Sequence, residues 1–254
     1  DRIICRSIKK EQDKKAEAAQ TVWLFGLHAV RDALMNPNRE KLQLMVTPNA
    51  QAKLEDAIAE TGITPQVVDP RKFRPPLDPN SVHQGAVLEV KPLNWGRLED
   101  VAIGDSAPRL LLLDRVTDPH NVGAIMRSAA AFGAAALVTQ DRNAPPEGGV
   151  IGKAASGALE ILPWVRVVNL ARALEQMAEA GYWRIGLTGA TETTLAEALP
   201  AGPVAIVLGA EGEGMRQNIE SHCDALARLP IGEEIESLNV SNAGAIALYA
   251  IATR

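Results

Sequence analysis

Aromatic residues are scarce in this chain and cysteine is scarcer. Trp, Tyr and Phe make up 4% of the 254 residues, and Cys5 and Cys223 are the two cysteines. Two isolated thiols without a Cys-x-x-Cys pair exclude a disulfide framework, so reduced thiols in a cytoplasmic protein are expected. No spacing of metal ligands occurs, and no metal is expected. Apolar runs stay well short of the roughly 20 residues that span a bilayer, and the lysine-rich start is too charged for a secretory signal. No membrane partner is therefore expected. A strong basic excess is also missing. The net charge is −5, which taken alone counts against nucleic acid, because phosphate binding draws on a basic footprint. The acidity is uneven, however: the first hundred residues are near neutral, and the excess of Asp and Glu lies beyond them. Within the neutral part, Arg71-Lys72-Phe73-Arg74 sets a basic cluster around an aromatic, a pattern common to RNA-contacting loops and to plain solvated ones.

Residues 1–20 are polar, and Lys9-Lys10-Glu11-Gln12-Asp13-Lys14-Lys15 has no apolar face, so they read as a flexible extension. A small α/β unit follows over 21–92. It has a helix across His28–Met35, a strand at Leu42–Val46, a helix at Asn49–Glu60 stopped by Gly62, and strands near Gln66–Val68 and Gln84–Val90. Prolines in Asp69–Asn80 exclude a regular ladder there. Residues 93–108 read as a linker. From 109 to 254 the rhythm becomes strand, loop, helix. Strands are expected at Leu110–Asp114, Ala135–Val138, Trp164–Val168, Tyr182–Leu187, Val204–Leu208 and Ala225–Leu229. Helices are expected at Asn121–Phe132, Gly149–Ala158, Leu170–Ala180, Met215–His222 and from Asn239 onward. Near-continuous apolar strands predict an α/β fold with a mostly parallel sheet covered on both faces.

Three polar segments follow apolar strands in this second part, where ligands of open α/β sheets bind. The first, Asp118-Pro119-His120-Asn121-Val122-Gly123-Ala124-Ile125-Met126-Arg127, puts Asn121 at a helix start and Arg127 within an apolar helix. Asn121 suits an N-cap, and the Arg127 guanidinium suits either solvent or bidentate phosphate binding. The second, Gly209-Ala210-Glu211-Gly212-Glu213-Gly214, differs from a dinucleotide loop in spacing and position. Its central Glu211 would repel a pyrophosphate, so a neutral or cationic ligand such as S-adenosylmethionine fits better. The third runs from Leu229-Pro230-Ile231 to Ser237-Leu238-Asn239-Val240-Ser241, with more hydroxyl and amide groups than helix capping explains.

Together the three segments resemble the signature motifs of the SpoU/TrmH-type RNA ribose 2′-O-methyltransferases, over Leu110 to Arg254. Residues 22–91 are similar to the small α/β substrate-binding domain that precedes the catalytic domain in one branch, through Gly26-Leu27-His28-Ala29-Val30 and His83-Gln84-Gly85. The resemblance implies a C-terminal trefoil knot, S-adenosylmethionine as cofactor and RNA as partner. Ribosomal-RNA guanosine is favoured as target over tRNA. It further implies donor contacts at Thr188, Gly189, Gly209, Leu229, Ile231 and Leu238, and a catalytic surround of Asn121, Arg127, Glu211, Ser237 and Asn239. Arg127 would also touch RNA, and the basic cluster around Phe73 adds Arg71, Lys72 and Arg74 as candidate RNA contacts. A homodimer built on the catalytic domain is expected, because the helix after Asn239 is apolar nearly all round. The rival readings are a tRNA ribose 2′-O-methyltransferase, a non-catalytic RNA-binding protein on the same fold, and a nucleotide-dependent oxidoreductase.

Overall fold

The computed structural model describes residues 20–101, 108–232 and 234–254. The extension expected at 1–20 (Gln20 apart), Cys5 and residues 102–107 of the expected linker lie outside the described residues. Two units emerge, one formed by the chain up to Asn94 together with Glu147–Lys153, the other by Trp95–Pro146 and Ala154–Arg254.

In the first unit, β1 (Val22–Phe25), β2 (Lys41–Val46), β3 (Gln66–Val67) and β4 (Ala86–Val90) form a sheet of order β1-β4-β2-β3. β4 runs antiparallel to β1 and β2, and β3 parallel to β2. The helix Leu27–Met35 buries Ala29, Val30, Ala33 and Leu34, the one-sided stripe that helical spacing dictates. The single helix expected at Asn49–Glu60 is in fact two, Pro48–Lys53 and Glu55–Thr61, which meet at Leu54 with φ −110°. The Thr47 hydroxyl caps the first by accepting from the Ala50 amide, and Gly62 ends the second in the left-handed region at φ 67°.

Sequence rhythm assigns residues 147–153 to the second domain, yet they pack with the first unit. The cause is polar and buried. The Arg39 guanidinium, with its side chain 0% exposed, pairs with the Glu147 carboxylate, itself 8% exposed. Arg39 also donates to the Lys91 carbonyl at 2.9 Å, and the other Glu147 oxygen accepts from the Leu93 amide at 3.1 Å. Gly149 lets this segment approach β1: a Cβ there would lie 2.4 Å from the Phe25 ring and 2.6 Å from the Trp23 carbonyl oxygen.

The second unit holds β5 (Arg109–Asp114), β6 (Ala136–Gln140), β7 (Trp164–Val167), β8 (Trp183–Leu187), β9 (Val204–Gly209) and β10 (Ala225–Ala227). Their order is β10-β8-β9-β5-β6-β7, with every neighbouring pair parallel. Leu110, Leu112, Val138, Ala205 and Val207 build its core with the helix Leu170–Glu179. Part of the expected linker is helical instead, at Leu98–Val101, because Leu98 inserts into that core. A further short helix, Leu195–Ala198, forms on a capping box between Thr194 and Glu197. The helix expected at Met215–His222 shrinks to Gln217–Glu220, since Met215 is buried and Arg216 is drawn into an ion pair.

The carboxy-terminal helix Val240–Ala252 packs on the helix Pro119–Ala131 and on β9. Gly244 sits at that contact, where a Cβ would be 3.0 Å from Leu208. One face therefore serves the chain's own core, with Leu248 fully buried, while Ile246 is 44% and Tyr249 58% exposed. No described helix is long and apolar enough to cross a membrane.

Candidate active site

β9 and β5 are neighbours in register, with Asp114 opposite Gly209, so the loops that leave them emerge side by side. Asp118 caps the helix Pro119–Ala131 by accepting from the His120 amide at 2.9 Å, with Pro119 in the first turn. Asn121 is thus not the N-cap that its position suggested, and its carboxamide is free for another task. The Asn239 side-chain amide donates to Asn121 Oδ1 at 3.0 Å and to Glu211 Oε1 at 2.6 Å. Glu211 Oε1 also accepts from the Val240 amide at 3.2 Å. Asn239 is itself the N-cap of the last helix: its Oδ1 accepts from the Ser241 amide at 2.9 Å and from the Ser241 hydroxyl. Both amide hydrogens and the carbonyl of Asn239 are committed, so this residue joins the three segments rather than reaching outward. Among the described residues Asn121 Nδ2 and Glu211 Oε2 meet no hydrogen-bond partner.

A second set of contacts holds the glycine-containing loop. Asp114, 0% exposed at the end of β5, accepts from Arg216 Nε at 2.8 Å, Nη2 at 2.6 Å and the backbone amide at 2.8 Å. Arg216 Nη2 also donates to Gln140 Oε1 at 2.9 Å. Glycine is required at 209, because a Cβ there would lie 2.3 Å from the Gly214 carbonyl carbon and the Met215 nitrogen. The next residue along from Asp114 behaves differently. Arg115 has φ 59°, a left-handed conformation that costs a side-chain-bearing residue about 1–2 kcal/mol. Its Nη2 meets Glu213 Oε2 at 3.0 Å, with the two side chains 38% and 70% exposed. Exposed pairs contribute about 0–1 kcal/mol. Among the described residues Arg115 Nε, which is buried, has no hydrogen-bond partner.

Arg127 is exposed and makes no hydrogen bond or ion pair among the described residues. Ser237 is also exposed and stands outside the Asn121–Glu211–Asn239 network. The expected donor contacts fall at the carboxyl ends of the adjacent strands β10, β8 and β9. Thr188 continues from β8, its amide donating to the Ala227 carbonyl at 2.9 Å, and Ile231 turns back on the Leu229 carbonyl at 3.0 Å. Leu229, Ile231 and Leu238 are half-buried. At Gly189 a Cβ would meet nothing within 4 Å, leaving room there. Such a set of backbone groups, one hydroxyl and half-buried aliphatic side chains fits an adenosine-bearing donor. In the first unit Arg71, Lys72 and Arg74 are exposed, but Phe73 is 5% exposed, packs in the core with Phe25 and Val87, and lies 4.9 Å from the His83 ring. The aromatic of that cluster is therefore not offered to a base. Among the described residues no group of His, Cys, Asp and Glu could hold a metal ion. Burial pushes the Cys223 thiol up to about 12, away from nucleophilic use.

Sequence reasoning missed Asp114, Arg115 and Arg216. The available signal was a carboxylate closing the apolar run Leu110–Leu113, where a buried charge demands a partner.

Residues 108–249 match the SpoU rRNA methylase family, and residues 23–96 match the family described as RNA 2′-O ribose methyltransferase substrate binding. The chain belongs to the SpoU rRNA methylase family, and is an RNA ribose 2′-O-methyltransferase. It is 37% identical over 234 residues to the 23S rRNA (guanosine-2′-O-)-methyltransferase RlmB of Pseudomonas aeruginosa, covering 90% of this chain and 94% of that one. To RlmB of Photobacterium profundum it is 37% identical over 233 residues, covering 89% and 95%. The fold is similar to that of the SpoU methyltransferase AviRb from Streptomyces viridochromogenes, solved with AdoMet, at TM-score 0.78, 22% identity and coverage of 94% and 92%.

Proposed function

We propose that this protein methylates the ribose 2′-hydroxyl of a guanosine in 23S rRNA. The observation that carries the reading is the hydrogen-bonded meeting of Asn121, Glu211 and Asn239, three segments brought to one sheet end. The likeness to the RlmB enzymes along nearly the whole chain supports the choice of target. S-adenosylmethionine supplies an activated methyl group, so the chain's own task is to hold carbon and oxygen in line. Thr188, Gly189, Gly209, Leu229, Ile231 and Leu238 hold the donor, mostly through backbone groups. The unpartnered Arg127 guanidinium grips the RNA phosphate beside the reacting ribose and stabilises the oxyanion developing at the 2′ oxygen. The open amide of Asn121, the second oxygen of Glu211 and the Ser237 hydroxyl orient the ribose, with Asn239 as positioning residue. The 2′ proton passes to phosphate or water.

In this reading residues 109–254 are the catalytic domain and 21–92 read the RNA, with Arg71, Lys72 and Arg74 on backbone phosphates. The carboxy-terminal segment closes a trefoil knot. Support comes from its path: the chain leaves β10 at the sheet edge and returns past β8 to Glu211 and Asn121. The enzyme acts in the cytoplasm as a homodimer joined at the outward face of the last helix, where Ile246 and Tyr249 are exposed. Light scattering that finds a monomer at micromolar concentration would refute the dimer.

The test maps 2′-O-methyl sites in RNA from a deletion strain carrying either the wild-type gene or Arg127→Ala. One 23S guanosine should lose its methyl group and regain it with the wild type alone. For the purified variant, transfer should fall about 10²–10³-fold, with S-adenosylmethionine affinity unchanged by calorimetry. A lost tRNA mark instead would overturn the target, and lost donor binding would overturn the role of Arg127.

A further inference from the structure

We propose that Arg115 is a second anion clamp for the RNA backbone, occupied in the free enzyme by Glu213. The inference rests on the methyltransferase reading and adds to it a residue that none of the three motifs contains. Two arginines leave neighbouring positions of the same loop system, and their guanidinium forks are used differently. Arg216 gives both Nε and Nη2 to the buried Asp114, a closed structural pair. Arg115 offers the same edge, but Nη2 alone meets Glu213 at 3.0 Å, while Nε is buried without an acceptor. With Glu213 displaced, the Nη1–Nη2 edge of that fork can take a phosphate bidentately.

Stability does not account for the residue. Arg115 sits at φ 59°, where glycine would be unstrained, and its one partner is an exposed carboxylate whose attraction is screened by solvent. Strain of this kind, held beside a reactive site, points to function. Position selects the ligand. Arg115 directly follows β5, from whose loop Asn121 and Arg127 also come, whereas the residues assigned to the donor follow β10, β8 and β9. An RNA phosphate arriving along the β5 loop displaces Glu213, which lies two residues from Glu211 in the turn closed between Ala210 and Gly214. Substrate arrival is thereby sensed in the loop that carries Glu211.

The test compares Arg115→Gly with Glu213→Gln in the full-length protein. Filter binding to transcribed 23S rRNA across a salt series and calorimetry with S-adenosylmethionine are the readouts. A clamp predicts opposite signs. Arg115→Gly should weaken RNA binding about tenfold and lower the salt slope by about one counterion, with melting temperature equal or higher. Glu213→Gln should tighten RNA binding several-fold, because the competing carboxylate is gone. Donor affinity should stay within about twofold in both. A mere loop staple would make both variants fail alike, and that result overturns the proposal. So would an unchanged RNA affinity of Arg115→Gly, or a loss confined to S-adenosylmethionine, which would assign the clamp to the donor carboxylate. Wild-type protein that binds no RNA would instead overturn the methyltransferase reading itself.

Discussion

Along β2 in the first unit, buried Leu44 and Val46 alternate with exposed Gln43 and half-buried Met45, so one face is covered, and Leu42, 43% exposed, sits at the register shift between Lys41 and Gln43. Along β5 in the second unit, Leu110 to Leu113 and Asp114 are all buried. A sheet covered on one face tolerates polar residues freely, and a polar residue there says little. In a sheet covered on both faces a surviving charge has to be matched. Asp114 is the instance, and its match, Arg216, fixes the loop that carries Glu211.

Charge pairing breaks the comparison most severely, because the first unit has a buried pair of its own. Arg39→Ala would leave Glu147 buried without its cation, and we expect a loss of about 3–5 kcal/mol in chemical denaturation. A loss below about 1 kcal/mol would show that water reaches Glu147 in the variant. The same pair makes excision of the first unit costly, since Glu147–Lys153 would lose its packing. A core pair sharpens the contrast of sheets. Leu112→Ala should cost about 2–5 kcal/mol, and Leu42→Ala no more than about 0.5 kcal/mol. Equal costs would mean that Leu42 is covered in solution.

The smallest effect separates the units by pH. Burial holds the His83 imidazole below its ordinary 6.5, with the Lys153 charge adding to the shift. Its Nδ1 accepts from the Gly85 amide at 3.0 Å, which needs the neutral ring. The sign follows: this contribution is present above 6.5 and is lost as pH falls through the lowered folded value. Among shifted carboxylates of the second unit, Glu197 and Asp224 sit below 4.5 and 3.8, so their contributions persist to lower pH. Between pH 7 and pH 5, amide protection in β1 and β4 should fall a few-fold relative to β5 and β9. His83→Gln should abolish that difference, and its persistence would assign the effect elsewhere.

Much of the architecture could be read from sequence because it depends on local pattern. The runs Leu110–Leu113 and Val204–Leu208 read as buried strands, and the three polar segments beyond the sheet's strands led to Asn121, Glu211 and Asn239. What stayed hidden depends on contacts across long separations. Arg39 and Glu147 are 108 positions apart, and nothing local marks Glu147 as belonging with the first unit. Asn121 looked like an N-cap because it stands near a helix start, and only the structure shows that Asp118, three residues earlier, is the cap used. Leu54 split an expected helix by a backbone change that apolar periodicity does not encode.

The Arg39–Glu147 pair also sets a clock for synthesis. At about 5–20 residues per second, the 108 positions between the two residues separate their appearance by roughly 5–20 s. During that interval the first unit is translated almost in full, yet the carboxylate that pairs with Arg39 has still to be made. It therefore waits in an incomplete state on the ribosome, and slowing translation between β6 and the segment at 147 would lengthen its exposure to proteases without altering the finished protein.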